Sequence, residues 1–247
     1  MAVLLQQLIN GFFIGSVYGL FAVGYTLVFG VLDILNLAHA AIFTLGGLTA
    51  LWLTTAAGLS IWIAFPLAAL FSGIPEGIFL NRVWRFESFT VTSLQVEIVL
   101  SALGLMLALT AFLSRTRMGK AIRAVAESQR TARLLGINVD GVIAFTFFVS
   151  SALGGVAGIL YGLYFDALAP DMGRSIELKG LAVIILGGMG SIPGAILGGI
   201  AFGLSEVFTV ALTGTSNLRD AVAFSVLFVI LILKPSGLLG RGRVREA

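Results

Sequence analysis

Three polar side chains stand close together in an otherwise apolar stretch. In "VLDILNLAHAAIFTLGG", residues 31–47, Asp33 is the only charged residue among the first 75, His39 is the only histidine of the chain, and Asn36 lies between them. An acid, an amide and an imidazole at this spacing have two readings. In one, Asn36 caps a helix beginning at Leu37, Asp33 occupies a solvated turn and His39 faces a neighbour, because Asn and Asp oxygens accept the free N–H groups of a first helical turn. In the other, the same helix start lies at membrane depth beside a pathway. Its unpaired N–H groups and positive dipole end then favour an anionic group such as a carboxylate. The readings are compatible, since a capped helix start can also face a pore.

A second set of chemistry-bearing residues is basic. "SRTRMGKAIRAVAESQRTARLLG" holds Arg115, Arg117, Lys120, Arg123, Arg130 and Arg133 against Glu127 alone. Ile122, Val125, Ala126, Leu134 and Ile137 recur there at roughly helical spacing, and Arg123, Glu127 and Arg130 fall three or four apart, so Glu127 is expected to pair with both arginines. Gly136 should stop this helix as a C′ glycine does. By itself the pattern fits a short helix lying on the inner leaflet, held by anionic lipid.

Other chemistries are excluded. There is no G-x-x-x-x-G-K-[ST] phosphate loop, no H-E-x-x-H and no nucleophile elbow, and a single histidine leaves no conventional triad. With no cysteine there is neither a disulfide framework nor thiolate chemistry. No catalytic, metal or cofactor set is read. Glu76, Glu97 and Glu206 fall in or near apolar segments, where ionisable groups are functional candidates, but each also lies near an expected helix end.

The elements that must carry these residues follow from composition. Of 247 residues 58% are hydrophobic and 11% charged, with a mean hydropathy of +1.06, against about 25% charged in a soluble domain. Several stretches reach the ~20 apolar residues a span requires. The chain therefore reads as an all-α polytopic integral membrane protein, a single domain over 1–247. About eight transmembrane or partly spanning helices are expected, at 4–31, 37–57, 60–80, 91–113, 141–165, 177–189, 193–213 and 219–234. The N-terminus lacks a basic segment and a clear cleavage site, so it reads as the start of a retained span. The net charge of +3 is topogenic rather than a nucleic-acid signal. It places the loop at about 115–140 and the C-terminal tail in the cytoplasm, and "DALAPDMGRSIELKG" outside. Counting back from Arg115 puts "NRVWRFESF" outside, although Arg82 and Arg85 favour the inside.

Glycines recur at i, i+4, i+8 in Gly11/Gly15/Gly19, Gly154/Gly158/Gly162 and Gly190/Gly194/Gly198. In lipid such stripes let helix backbones approach closely. "LVFGVLDILNLAHAAIFTLGGL" and "VIILGGMGSIPGAILGGIAFGL" also echo one another: an apolar segment, a break, then a helix rich in small residues. Paired interrupted segments point to a transport pathway, where unwound backbone lines a cavity.

Four stretches carry a resemblance. "GYTLVFGVLDILNLAHA" (24–40), "MGKAIRAVAESQRTARLLGIN" (118–138), "LAVIILGGMGSIPGAILGGIAFGLSE" (181–206) and "LKPSGLLG" (233–240) together resemble permease subunits of ABC importers for branched-chain amino acids. The resemblance implies a second permease subunit, related or identical, two cytoplasmic ABC ATPase subunits and a periplasmic substrate-binding protein. It implies a bacterial inner-membrane location with a cytoplasmic C-terminus, and amino-acid cargo. It makes the basic segment, with Arg123, Glu127, Arg130 and Gly136, the coupling helix that docks on the ATPase. It places the Asn36–His39 region beside the translocation route, and the two interrupted segments add Asp33, Gly187, Gly188 and Gly190 to that expected pathway. Related urea and short-chain amide permeases share much of the pattern. Two departures stand out: Ala40 replaces a usual Gly, and a family span is missing near residues 86–90, between Arg85 and Val91. A proton-coupled secondary transporter, with Glu97, Glu206 or Asp33 as relay, is the alternative from another class, and a structural scaffold a third.

Overall fold

The computed structural model describes residues 2–36, 38–55, 83–86, 89–165, 172–215 and 218–240. Among these the chain forms α1 (Ala2–Leu32), α2 (Ala38–Thr55), a hairpin of β1 (Val83–Arg85) and β2 (Thr90–Thr92), α3 (Ser93–Arg115), α4 (Arg117–Glu127), α5 (Gln129–Leu134), α6 (Val139–Phe165), α7 (Met172–Gly187), α8 (Ile192–Thr213) and α9 (Arg219–Leu233). The protein is an all-helical polytopic membrane protein. Val3–Leu32, Ser93–Arg115, Val139–Phe165 and Ile192–Thr213 are each long and apolar enough to cross a bilayer. The expected helices match these elements within a few residues, except that α7 starts five residues before 177. The helix expected at 60–80 lies outside the described residues.

The organising element is α1, whose 31 residues span about 45 Å at 1.5 Å per residue. It packs on α8, α6, α7 and α3. The glycine stripes explain how apolar helices hold together without a water-driven hydrophobic effect. A Cβ on Gly203 would stand 2.5 Å from the Cα of Gly15, one on Gly199 would strike Gly19, and one on Gly11 would stand 2.8 Å from the Cα of Leu204. Small residues thus permit backbone-to-backbone contact and its dispersion gain. The second stripe does the same for α2 on α6: a Cβ on Gly158 would strike the carbonyl of Phe43.

The hairpin fixes the topology. Gln6, in the second turn of α1, accepts from Thr90 N at 2.7 Å and donates to Thr90 O at 3.1 Å, as an extra strand would. Thr92 and Gln95 then form a capping box that starts α3. The hairpin sits by the first turns of α1, and α3 runs from there to the arginine-rich segment at the other end. Counting passes back from Arg115 predicts this face, and the pull of Arg85 toward the basic end does not prevail; Arg82 lies outside the described residues.

Candidate functional site

Both interrupted hairpins open into one cavity. After α1 the chain breaks at Asp33, whose φ of 56° is left-handed backbone for a residue other than glycine. After α7 it breaks at Gly188 and Gly190, with φ of 105° and 79°, and Ser191 caps α8 by accepting from Gly194 N. Asp33, Gly190 and Ser191 line a cavity of about 890 Å³ together with Arg123 and Glu127 of α4. Its wall is completed by the C-terminal segment Pro235–Gly240, by Ser114 and Leu113 of α3, and by Thr26 and Leu27 of α1. The internal echo is therefore spatial: two breaks, from the two halves of the chain, face the same space.

The C-terminal segment is held by backbone. Leu238 N donates to Leu186 O at 2.8 Å and Leu239 N to Gly187 O at 2.9 Å. Gly187 lies against Gly194 across the α7–α8 turn, and Gly188 against Gly240, so tightly that a Cβ at either would overlap main chain. Gly187 and Gly188 thus shape the turn, whereas Gly190 lines the cavity. Thr26 is buried, and its Oγ1 has no hydrogen-bond partner among the described residues. It is the lining residue of α1 farthest from the break at Asp33.

His39 is placed differently. It is fully buried in the first turn of α2 and does not line the cavity. Nε2 lies 3.3 Å from Phe21 O and Nδ1 lies 3.4 Å from Ser150 Oγ, whose hydroxyl donates to Gly24 O at 2.8 Å. The rings of Phe21 and Tyr25 pack on the imidazole, with centroids 4.7 and 5.4 Å away. Phe21 is eleven residues before the end of α1, or about 16 Å along the axis. The short linker from Asp33 must climb back that far before α2 begins, so the start of α2 is re-entrant. Asn36, half-buried, lies in that linker, and its carbonyl accepts from His39 N at 3.0 Å. The described part of α2 begins at Ala38; Leu37, where the sequence expects the helix to begin, lies outside the described residues.

The basic segment forms two helices. Thr116 ends α3 and begins α4: its hydroxyl donates to Phe112 O at 2.8 Å and accepts from Gly119 N at 2.9 Å. The apolar face of α4 buries Ile122 and Val125, and Ser128 joins α4 to α5, its backbone N–H donating to Ala124 O and its hydroxyl accepting from Thr131 N. Gly136, with φ of 80°, closes α5: Gly136 N donates to Arg133 O and Ile137 N to Ala132 O, each at 3.0 Å, the Schellman pattern. The expected pairing of Glu127 with Arg123 and Arg130 is not among the ion pairs of the described residues. The backbone is extended at Ser128, so Glu127 and Arg130 do not share a helix face, while Arg123 and Glu127 both line the cavity. The ion pair of this region is instead Arg133 with Asp140 at 3.1 Å, largely exposed. Arg130 is exposed on α5.

Sequence reasoning missed one cluster. Glu206 is expected near a helix end, in solvent, yet it is buried in the interior of α8. Lys179 of α7 donates to Glu206 Oε1 at 2.5 Å and to Tyr18 OH at 3.4 Å, and pairs with Asp220 of α9 at 2.9 Å. Tyr18 OH donates to Glu206 Oε2 at 2.8 Å. The available signal was a lysine and a glutamate in apolar segments 27 positions apart, but the sequence reads Lys179 as part of the outer segment "DALAPDMGRSIELKG" and Glu206 as a solvated residue near a helix end. Glu97 is half-buried on α3.

Comparison with known proteins supplies the family. The model of the branched-chain amino acid transport system permease component matches residues 7–78 and 79–231. The chain is 35% identical to the high-affinity branched-chain amino acid transport system permease protein LivH of Escherichia coli (strain K12), over 98% of the chain and 97% of that protein. It is 33% identical to the corresponding permease protein BraD of Pseudomonas aeruginosa, with the same coverage. It is 28% identical, over 52% of the chain and 38% of the relative, to the autoinducer 2 import system permease protein LsrC of Yersinia pestis (strain Pestoides F). No solved structure matches. The LivH alignment runs to 300 positions against a chain of 247, so more than fifty of them lie opposite a gap here. The family match breaks between 78 and 79, upstream of the Arg85–Val91 interval where a missing span is expected. With the match covering nearly its whole length, the chain belongs to the family of branched-chain amino acid transport permease components.

Proposed function

We propose that the chain is the membrane-spanning permease subunit of an ATP-driven ABC importer of the inner membrane, translocating branched-chain or other hydrophobic amino acids. Its partners are a second permease subunit, two cytoplasmic ATPases and a periplasmic substrate-binding protein. The basic end and the C-terminus are cytoplasmic, in keeping with the excess of Arg and Lys there. The observation that carries this reading is the shared cavity. Arg123 and Glu127 of α4 line the same space as Asp33 and Gly190, so a force applied to α4 and α5 acts directly on the wall of the route.

In this mechanism the cavity is the cytoplasmic half of the route. Aliphatic cargo passes over Leu27, Leu113 and Ile185, while Thr26 Oγ1 and the helix start at α8 supply polar groups for the head group. His39 and Asn36 serve by holding α2 at its re-entrant start, and Gly187 and Gly188 by shaping the second break. The ATPase docks on α4 and α5 through Arg130 and neighbouring basic residues, and Gly136 ends that handle. ATP-driven closure of the partners shifts the two breaks together, and the differential contacts that bias the equilibrium come from the nucleotide-binding partner. Co-purification tests it: Arg123→Glu with Arg130→Glu should release an ATPase that wild type retains, and equal retention would refute the docking assignment.

A further inference from the structure

We propose that Tyr18, Lys179, Glu206 and Asp220 form the outer gate of the route, a charge-paired latch that closes the side opposite the cavity. The proposal rests on reading the chain as a permease, not on its partners. The cavity's lining ends at Thr26 on α1, Ile185 on α7 and Pro193 on α8. The latch residues lie farther from the basic end on all three helices, by about 12, 9 and 20 Å at 1.5 Å per residue. Asp220 sits in the first turn of α9, whose last turn leads into the cavity-lining C-terminal segment.

The chemistry of the cluster suits a gate better than a clamp. A buried ion pair is a poor way to hold helices together, since desolvating both charges offsets most of their attraction, and ionisable groups at membrane depth are rare. Here one ammonium group ties four helices, because Lys179 of α7 meets Glu206 of α8, Asp220 of α9 and Tyr18 of α1. Glu206 is shielded, whereas Asp220 is 59% exposed, so the latch is buried at one edge and reaches the surroundings at the other. An arrangement closed by charge pairs releases when those pairs are replaced, which packed leucines do not do. Gly180, beside Lys179, is seated on the ring of Phe21, so movement of Lys179 is felt by the α1 segment that contacts His39.

The chain contains no cysteine, so a single introduced thiol reports access at one place. Thr209→Cys lies one turn from Glu206 on the same face of α8, at a buried position; Ser114→Cys lies in the cavity. Each is placed separately in the full-length protein in vesicles and labelled with a membrane-impermeant maleimide from the face on which it opens. With the latch intact, the thiol of Thr209→Cys should label slowly and that of Ser114→Cys quickly. Lys179→Met and the milder Asp220→Asn should each raise labelling at position 209 several-fold while lowering it at position 114. Exchanging the charges (Lys179→Glu with Glu206→Lys) should restore protection at position 209. Unchanged labelling at position 209 in both weakened variants would overturn the gate. So would a rise at both positions in Asp220→Asn, because that marks loosening rather than a switch between sides. Neither readout involves an ATPase, so a failure here is distinct from a failure of the importer reading.

Discussion

His39 Nδ1 lies 3.4 Å from the hydroxyl of Ser150, a contact between residues 111 positions apart that ties the re-entrant start of α2 to the middle of α6. The histidine fits only because Gly24 and Gly154 leave room on either side: a Cβ at Gly154 would stand 2.7 Å from His39 Cε1.

Gly154→Ala should therefore destabilise the protein by about 1–3 kcal/mol, the usual cost of overpacking. Gly104→Ala, on α3 with open space around the added methyl, should leave the thermal midpoint of the detergent-solubilised protein unchanged or slightly raised. Equal midpoints for the two variants would mean that the imidazole is not confined.

Lys179→Met strands the carboxylate of Glu206 in a buried site, which costs roughly 3–5 kcal/mol. Removing both charges, as Lys179→Met with Glu206→Leu, should recover most of that loss, and the cycle of single and double variants isolates the coupling. Asp140→Asn breaks a pair that is exposed on both sides and should cost less than about 1 kcal/mol. Chemical denaturation in detergent ranks the three; a ranking in which Asp140→Asn costs most would contradict the burial argument.

Asp33 separates backbone from charge. Its φ of 56° suits Asn nearly as well as Asp, whereas a β-branched side chain there costs about 1–2 kcal/mol. Asp33→Val should lower the melting temperature by more than Asp33→Asn does. Because Asp33 lines the cavity, Asp33→Asn should still reduce cargo uptake several-fold. Uptake equal to wild type in Asp33→Asn would remove the carboxylate from the route.

Much of this was legible in the sequence because membrane helices announce themselves by length and apolarity, and because glycine periodicity encodes close packing. The break at Asp33, the C′ glycine at Gly136 and the turn at Gly187–Gly190 are local chemistry, readable within a few residues. What stayed hidden is long-range. Nothing near Lys179 says that its partner is Glu206, and nothing near His39 says that Ser150 faces it. The expected pairing of Glu127 with Arg130 fails for a local reason: the spacing runs through Ser128, whose extended backbone divides the helix. The shortened region was visible as a departure from the family, and an alignment of 300 positions against a chain of 247 residues agrees that family positions are absent from it.

Uptake in reconstituted vesicles tests the central claim, that the two chain breaks form a passive route moved from outside by partners bound at α4 and α5. With the second permease, the ATPases and the substrate-binding protein present, labelled leucine should accumulate only when ATP is supplied. Arg123→Glu with Arg130→Glu should abolish accumulation while the protein's melting temperature is kept. Accumulation by this chain alone, driven by an ion gradient without ATP, would contradict the account.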